Sequence, residues 1–193
     1  MMDSQRLAVT ISEAKAGSPE AYQTLLATYG RRLYGYFLRA CRSHHDAEDL
    51  LGELMLRLVQ TLGSYEEQGR FEPWLFRIAA NMVRDRIRRG RATPAVVSLD
   101  EADGSADAPC RQVQCASPSV DAGLQAAEAS ARLAMALERL DEPAREMILL
   151  RHFGRMSFKE LAERFDCPLG TALARVHRGL RLLRKLMGDE NDA

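Results

Sequence analysis

Residues 157–187 read SFKELAERFDCPLGTALARVHRGLRLLRKLM, and this stretch decides the fold class. Ser157 followed by Glu160 is a capping box, in which the serine hydroxyl accepts from the first-turn N–H groups and the glutamate reaches back. Phe158, Leu161, Ala162 and Phe165 then recur at helical spacing, one apolar face. Asp166, Cys167, Pro168, Leu169 and Gly170 interrupt that period with turn chemistry. From Thr171 a second helix is predicted, with Leu173, Val176, Leu180, Leu183 and Met187 inward and Thr171, Arg175 and Arg178 outward. Two helices, a short turn and a basic outer face are the parts of a helix-turn-helix, whose ligand is duplex DNA.

Charge is segregated around this segment although the 193-residue chain is neutral overall. Residues 132–187 hold 12 Lys/Arg against 7 Asp/Glu, and residues 30–92 hold 12 against 8. Residues 93–131 hold 1 against 6, so an acidic connector separates two basic blocks. Basic blocks beside a helix-turn-helix favour nucleic acid over a merely solvated face. Apolar content of 46% with few aromatics indicates a globular, helix-rich chain. No apolar run is long enough to cross a bilayer, and MMDSQRLAVT lacks the apolar centre of a signal peptide. A cytoplasmic protein without membrane insertion is therefore expected.

Upstream of the helix-turn-helix, Ser18-Pro19-Glu20 is a helix start, followed by helical spacing through Tyr22, Leu25, Leu26, Tyr29, Leu33, Tyr36 and Phe37. Gly30 and Gly35 mark a bend in this reading. A second helix is expected from Asp46 to about Leu62, with Leu51, Leu54, Met55, Leu58 and Leu62 on one face and Gly63 as its stop. Pro73 opens a third, with Leu75, Ile78, Ala79 and Met82 inward. Arg77, Asn81, Arg84 and Arg88 share its exposed face. Prolines 94, 109 and 118 and a scatter of Ser, Asp and Gly make 93–131 an extended linker. As a coil it would average about 35 Å, enough to hold two folded blocks a DNA turn apart. The expected architecture is all-α, with two small helical domains (1–92 and 132–187), a flexible acidic linker (93–131) and a tail (188–193).

Three blocks in order, DAEDLLGELMLRLVQTLGSY, FEPWLFRIAANMVRDRIRR and RLDEPAREMILLRHFGRMSFKELAERFDCPLGTALARVHRGLRLLRKLM, resemble the bacterial RNA polymerase sigma factors. The short form, with sigma regions 2 and 4 alone, is similar to the extracytoplasmic-function (ECF) branch. The resemblance implies a factor that binds core RNA polymerase and directs promoter-specific initiation. Its partners would be the clamp helices of the largest polymerase subunit, the flap of the second-largest, promoter DNA, and an anti-sigma factor, which the family often has. No cofactor is implied.

The resemblance also assigns roles to residues. Glu48, Asp49, Glu53, Leu54, Arg57 and Leu58 would meet the clamp helices, although the two leucines read at least as well as core. Phe71, Trp74, Arg77, Asn81, Arg84 and Arg88 would form the minus-10 surface, with Ser64–Glu72 as the pocket for an unstacked base. Trp74, at a helix start, reads equally well as core. Thr171, Arg175, Arg178 and Arg181 would read the minus-35 duplex, since arginine suits both guanine and phosphate. Leu173, Ala174 and Leu180 depart from the family's usual pattern in that helix, and Gly52 stands where glutamine is usual. Asp100, Glu101, Asp103 and Asp107 would imitate nucleic-acid charge or serve simply as a soluble tether.

Enzyme chemistry has no support. His44, His45, His152, His177 and the cysteines at 41, 110, 115 and 167 form no ligand-spaced set, no phosphate-binding glycine loop exists, and catalytic and metal residues are expected to be none. A redox or metal role for Cys110 and Cys115 is the weaker reading against ordinary thiols. The main alternative function is a two-domain helix-turn-helix regulator that never serves as a polymerase subunit. It leaves residues 1–92 unexplained.

Overall fold

The computed structural model describes residues 3–92 and 120–188, with side chains over 3–90 and 127–188. The linker acids at 100, 101, 103 and 107, together with Cys110 and Cys115, lie outside the described residues. Every regular element among those described is helical: α1 Ser4–Lys15, α2 Pro19–Cys41, α3 His44–Thr61, a 3-10 turn Leu62–Ser64, α4 Phe71–Ala92, α5 Val120–Glu138, α6 Glu142–Phe153, α7 Phe158–Arg164 and α8 Leu169–Gly188.

Local chemistry sets several helix starts. The Ser18 hydroxyl accepts from the Ala21 N–H at 3.3 Å, with Pro19 at the first position of α2. The Ser43 hydroxyl accepts from the Asp46 N–H at 3.1 Å, so α3 starts at His44, ahead of the acids that flagged it. α1 has no side-chain cap and was not expected; it is held by burial of Ile11 and Ala14 against α2. α2 is one helix from end to end, and Gly35 has a packing role rather than marking a bend. A Cβ there would stand 3.1 Å from the Phe153 ring, which leans on α2 from α6.

α1 to α4 surround a core of Leu25, Leu33, Tyr36, Phe37, Leu50, Leu54, Leu58 and Phe76. The second block, α5 to α8, closes over Leu137, Met147, Leu150, Leu161, Val176 and Leu183. α5 begins at Val120, inside the stretch read as linker, because Ala-rich sequence there carries helix propensity that prolines upstream had masked.

The two blocks pack on each other. α6 lies along α2 and touches α4, the Arg32 guanidinium donates to the Phe153 carbonyl, and Tyr36 meets Phe153 edge-on at 6.4 Å. Gly154 makes the approach possible: a Cβ there would stand 2.8 Å from the Phe76 Cβ.

Candidate nucleic-acid interface

The helix-turn-helix forms as its capping box dictates. The Ser157 hydroxyl accepts from the Glu160 N–H at 3.2 Å, and the Glu160 carboxylate accepts from the Ser157 N–H at 2.7 Å. The turn differs from expectation. Asp166, not Gly170, takes the left-handed conformation at φ 47°, which a short polar side chain tolerates, and Gly170 already lies in the first turn of α8.

The inward stripe of α8 is also rotated. Ala172, Val176, Gly179 and Leu183 are buried, Leu173 is half-buried, and Leu180 and Met187 are exposed. Small residues at 172 and 179 let the helix sit close on its neighbours: a Cβ at Gly179 would stand 2.7 Å from the Ile148 Cδ1. Val176 and Leu183 face inward as expected, whereas Ala172 and Gly179 take the inward places expected for Leu173 and Leu180. Thr171, Arg175, Arg178 and Arg181 remain on the outer side, half-buried or exposed. The Arg178 Nε donates to the Ala174 carbonyl at 3.3 Å, and Arg175 stands 3.9 Å from the Asp141 carboxylate.

On α4, Arg77, Asn81, Arg84 and Arg88 all lie on the exposed side, as their spacing predicted. Phe71 does not join them. It is 1% exposed, at 5.6 Å from Tyr29 and 5.5 Å from Tyr65, because the chain turns the start of α4 inward under an aromatic cluster. Trp74 is half-buried in that cluster, 4.6 Å from Tyr65. A cavity of about 430 Å³ opens beside the loop that precedes α4, lined by Ser64, Tyr65, Arg70, Trp74 and Arg77. Its far wall is α7, through Glu160, Glu163 and Arg164.

The α4 surface is therefore not free. The Glu146 carboxylate of α6 accepts from Arg84 through Nε at 3.2 Å and Nη2 at 2.9 Å, and from Arg164 at 3.2 Å. Arg164 also donates to the Asn81 side-chain oxygen at 3.1 Å. The Arg84 guanidinium stands over the Phe165 ring at 5.3 Å, and Arg70 pairs with Glu160 at 2.7 Å. Burial pulls the Arg164 guanidinium below the usual arginine range, with Glu146 acting the other way.

α3 presents a different outward face. Leu54 and Leu58 are fully buried and leave the candidate docking set: they fall in phase with Ala47 and Leu50 on the side that meets α2. Glu48, Asp49 and Glu53 are exposed and Arg57 is half-buried. The apolar residues that do face outward are Leu56 and Val59, 69% and 56% exposed, which sequence reading missed. The signal was available, since both share the helical phase of Gly52 and Glu53 rather than that of Leu54. Arg86 of α4 bonds Asp46 and lies 3.5 Å from Asp49, and the hydrogen bond to Asp46 raises its own affinity for the proton.

Among the described residues, no group of three or more His, Cys, Asp and Glu side chains is placed to hold a metal ion, and no helix is long and apolar enough to cross a membrane. Cys41 is half-buried, and burial pushes its thiol up to about 11, well away from a reactive thiolate.

Comparison with known proteins matches this arrangement in both halves. Residues 25–93 match the model of Sigma-70 region 2, and residues 130–183 match that of Sigma-70, region 4. The RNA polymerase sigma factor CarQ of Myxococcus xanthus is 33% identical over 173 residues, covering 90% of this chain and 92% of that one. The ECF RNA polymerase sigma factor SigW of Bacillus subtilis is 27% identical over 181 residues, covering 93% and 95%. Among solved structures, CnrH in complex with the cytosolic domain of CnrY shares the fold at a TM-score of 0.65, with 23% identity, 99% of this chain and 100% of that one. RpoE in complex with the anti-sigma factor NepR, from Bartonella quintana, aligns at 0.60, with 21% identity, 86% of this chain and 96% of that one. The chain belongs to the extracytoplasmic-function branch of the RNA polymerase sigma factors, which select promoters for transcription initiation and are not enzymes.

Proposed function

We propose that the two blocks divide the work of initiation. Residues 1–92 dock on core polymerase through α3 and open the minus-10 element through α4. Residues 132–187 read the minus-35 duplex through α8, and 93–131 join them. The observation that carries this reading is the separation of two surfaces of opposite chemistry. The outer face of α3 is acidic with two exposed apolar residues, suited to a protein; the outer faces of α4 and α8 carry arginines, suited to nucleic acid.

On α3, Glu48, Asp49, Glu53, Arg57, Leu56 and Val59 make the polymerase contact. On α4, Arg77, Asn81, Arg84 and Arg88 hold the separated strand, with Trp74 as the stacking edge of the adjoining cavity. Thr171, Arg175, Arg178 and Arg181 face the major groove, the first two nearest the N-terminal end of the helix that enters it. The factor acts in the cytoplasm, where polymerase is.

An anti-sigma protein is the further partner, as NepR is for RpoE of Bartonella quintana. A groove of about 660 Å³ lined by Leu133, Leu137, Ile148, Val176, Leu180 and Leu183 and rimmed by Arg39 and Arg151 suits the apolar face of an acidic amphipathic helix.

Run-off transcription with purified core polymerase lacking any sigma factor tests the reading. Template-dependent initiation on adding this chain is expected. Tight sequence-specific binding to DNA without core, and no initiation with it, would mean a free-standing regulator instead.

A further inference from the structure

Lys15, in the last turn of α1, reaches out of its own helix. Its ammonium donates to the main-chain carbonyl of Tyr65, 50 residues along the chain, and stands 5.9 Å from the centroid of the Tyr65 ring. A cation at a helix C-terminus ordinarily serves the last carbonyls of that helix. Here those carbonyls are already taken. Ser12 accepts from the Ala16 N–H at 3.1 Å, Glu13 from the Ser18 N–H at 3.1 Å and Ala14 from the Gly17 N–H at 2.9 Å. Gly17 allows this closure by taking the left-handed conformation at φ 91°. The ammonium therefore acts on the loop it touches and not on α1.

That loop walls the cavity beside α4. The Tyr65 N–H donates to the Leu62 carbonyl at 3.0 Å and closes the 3-10 turn, on which α1 packs. Tyr65 itself is extended, and its carbonyl takes the lysine. The Tyr65 ring, 6% exposed, lies 4.6 Å from Trp74 and 5.5 Å from Phe71. Its hydroxyl donates to Glu67 Oε1 at 3.4 Å, and the same oxygen accepts from the Gly69 N–H at 2.6 Å. One line of contacts thus runs from Lys15 to Tyr65, and from there to Trp74 on one side and to Glu67 and Gly69 on the other.

We propose that Lys15 is a positioning residue for strand opening: by holding the Tyr65 carbonyl it fixes the loop before α4, so that the cavity beside Trp74 is already shaped for an unstacked base. A loop ordered in advance does not lose its conformational freedom when the base arrives. Lys15 touches no nucleotide and acts through Tyr65. The proposal rests on the reading of this cavity as the place of the unstacked base.

Full-length variants are assembled with core polymerase and followed by run-off kinetics at several holoenzyme concentrations, which separates closed-complex affinity from the rate of opening. Two templates serve: a duplex promoter on which wild type initiates, and the same promoter with a mismatched, premelted minus-10 element. Lys15→Met keeps an unbranched stem and the helix propensity but removes the donor, and Lys15→Arg restores a charged donor.

Lys15→Met should slow opening of the duplex on the order of tenfold, the scale of losing a hydrogen bond from a charged group. Closed-complex affinity and core binding should stay within about twofold of wild type, as for a surface change away from those contacts. Most of the deficit should vanish on the premelted template, where no opening is left to assist, and Lys15→Arg should recover most of the duplex rate. In the free chain, acrylamide should quench Trp74, the one tryptophan of the sequence, more readily in Lys15→Met. Either a duplex rate or a Trp74 quenching equal to wild type in Lys15→Met overturns the proposal. So does a deficit of equal size on both templates, or one that Lys15→Arg does not relieve. Trp74→Ala separates this proposal from the reading beneath it. If Trp74→Ala opens the duplex as fast as wild type, the assignment of the cavity fails; if it is slow while Lys15→Met is not, only the role of Lys15 fails.

Discussion

At the scale of single residues, helical phase separates function from core more sharply than residue type does. Leu54 and Leu56 are both leucines of α3, yet one is fully buried and the other is 69% exposed. Leu56→Asp should therefore leave thermal stability within about 0.5 kcal/mol of wild type while lowering core-polymerase affinity in a pull-down. Arg175→Ala should do the reverse, weakening promoter-specific initiation with core association intact. The aromatic Phe71 shows the same lesson from the other side. Its type suited a base-stacking surface, but only its neighbours Tyr29, Tyr65 and Trp74 determine that it faces inward.

At the scale of elements, caps and glycines set what each helix contributes. Gly52 lies inside α3 with open space around the position of a Cβ. Gly52→Ala should raise stability in urea unfolding by about 0.5–1 kcal/mol. The start of α7 couples to pH. Burial pushes the Glu160 carboxyl up, but hydrogen bonds from the Ser157 hydroxyl and N–H and from Arg70 outweigh it and hold the carboxyl below the usual range. A carboxyl lowered on folding contributes stability above its unfolded pKa of about 4.3 and loses it as pH falls through the lower folded value. Glu160→Gln should thus be less stable than wild type at neutral pH, and the gap should close as pH drops below about 4. Element existence was largely legible: Ser18-Pro19-Glu20, the capping box and the α4 arginine face all stand as read. α1 was not, because its burial depends on α2 rather than on a cap of its own.

At the scale of the whole molecule, the two blocks share packing as well as charge pairs. Phe153 of α6 lies against α2, and Gly154 backs onto Phe76 of α4. Free wild-type chain should therefore melt as one cooperative transition in calorimetry, and Gly35→Leu should split it into two. Nothing local forecasts this closure, since the linker alone permits separation as readily as contact. By itself the sequence determined most of the helices, the helix-turn-helix, the segregation of basic blocks and the family, because caps, periodicity and charge act over a few residues. Only the tertiary structure decided that Phe71 turns inward, that Ala172 and Gly179 face the core of the second block, and that Asn81 and Arg84 are held by Glu146 and Arg164. Those outcomes depend on which surfaces bury each other, and burial is a property of residues distant in the chain.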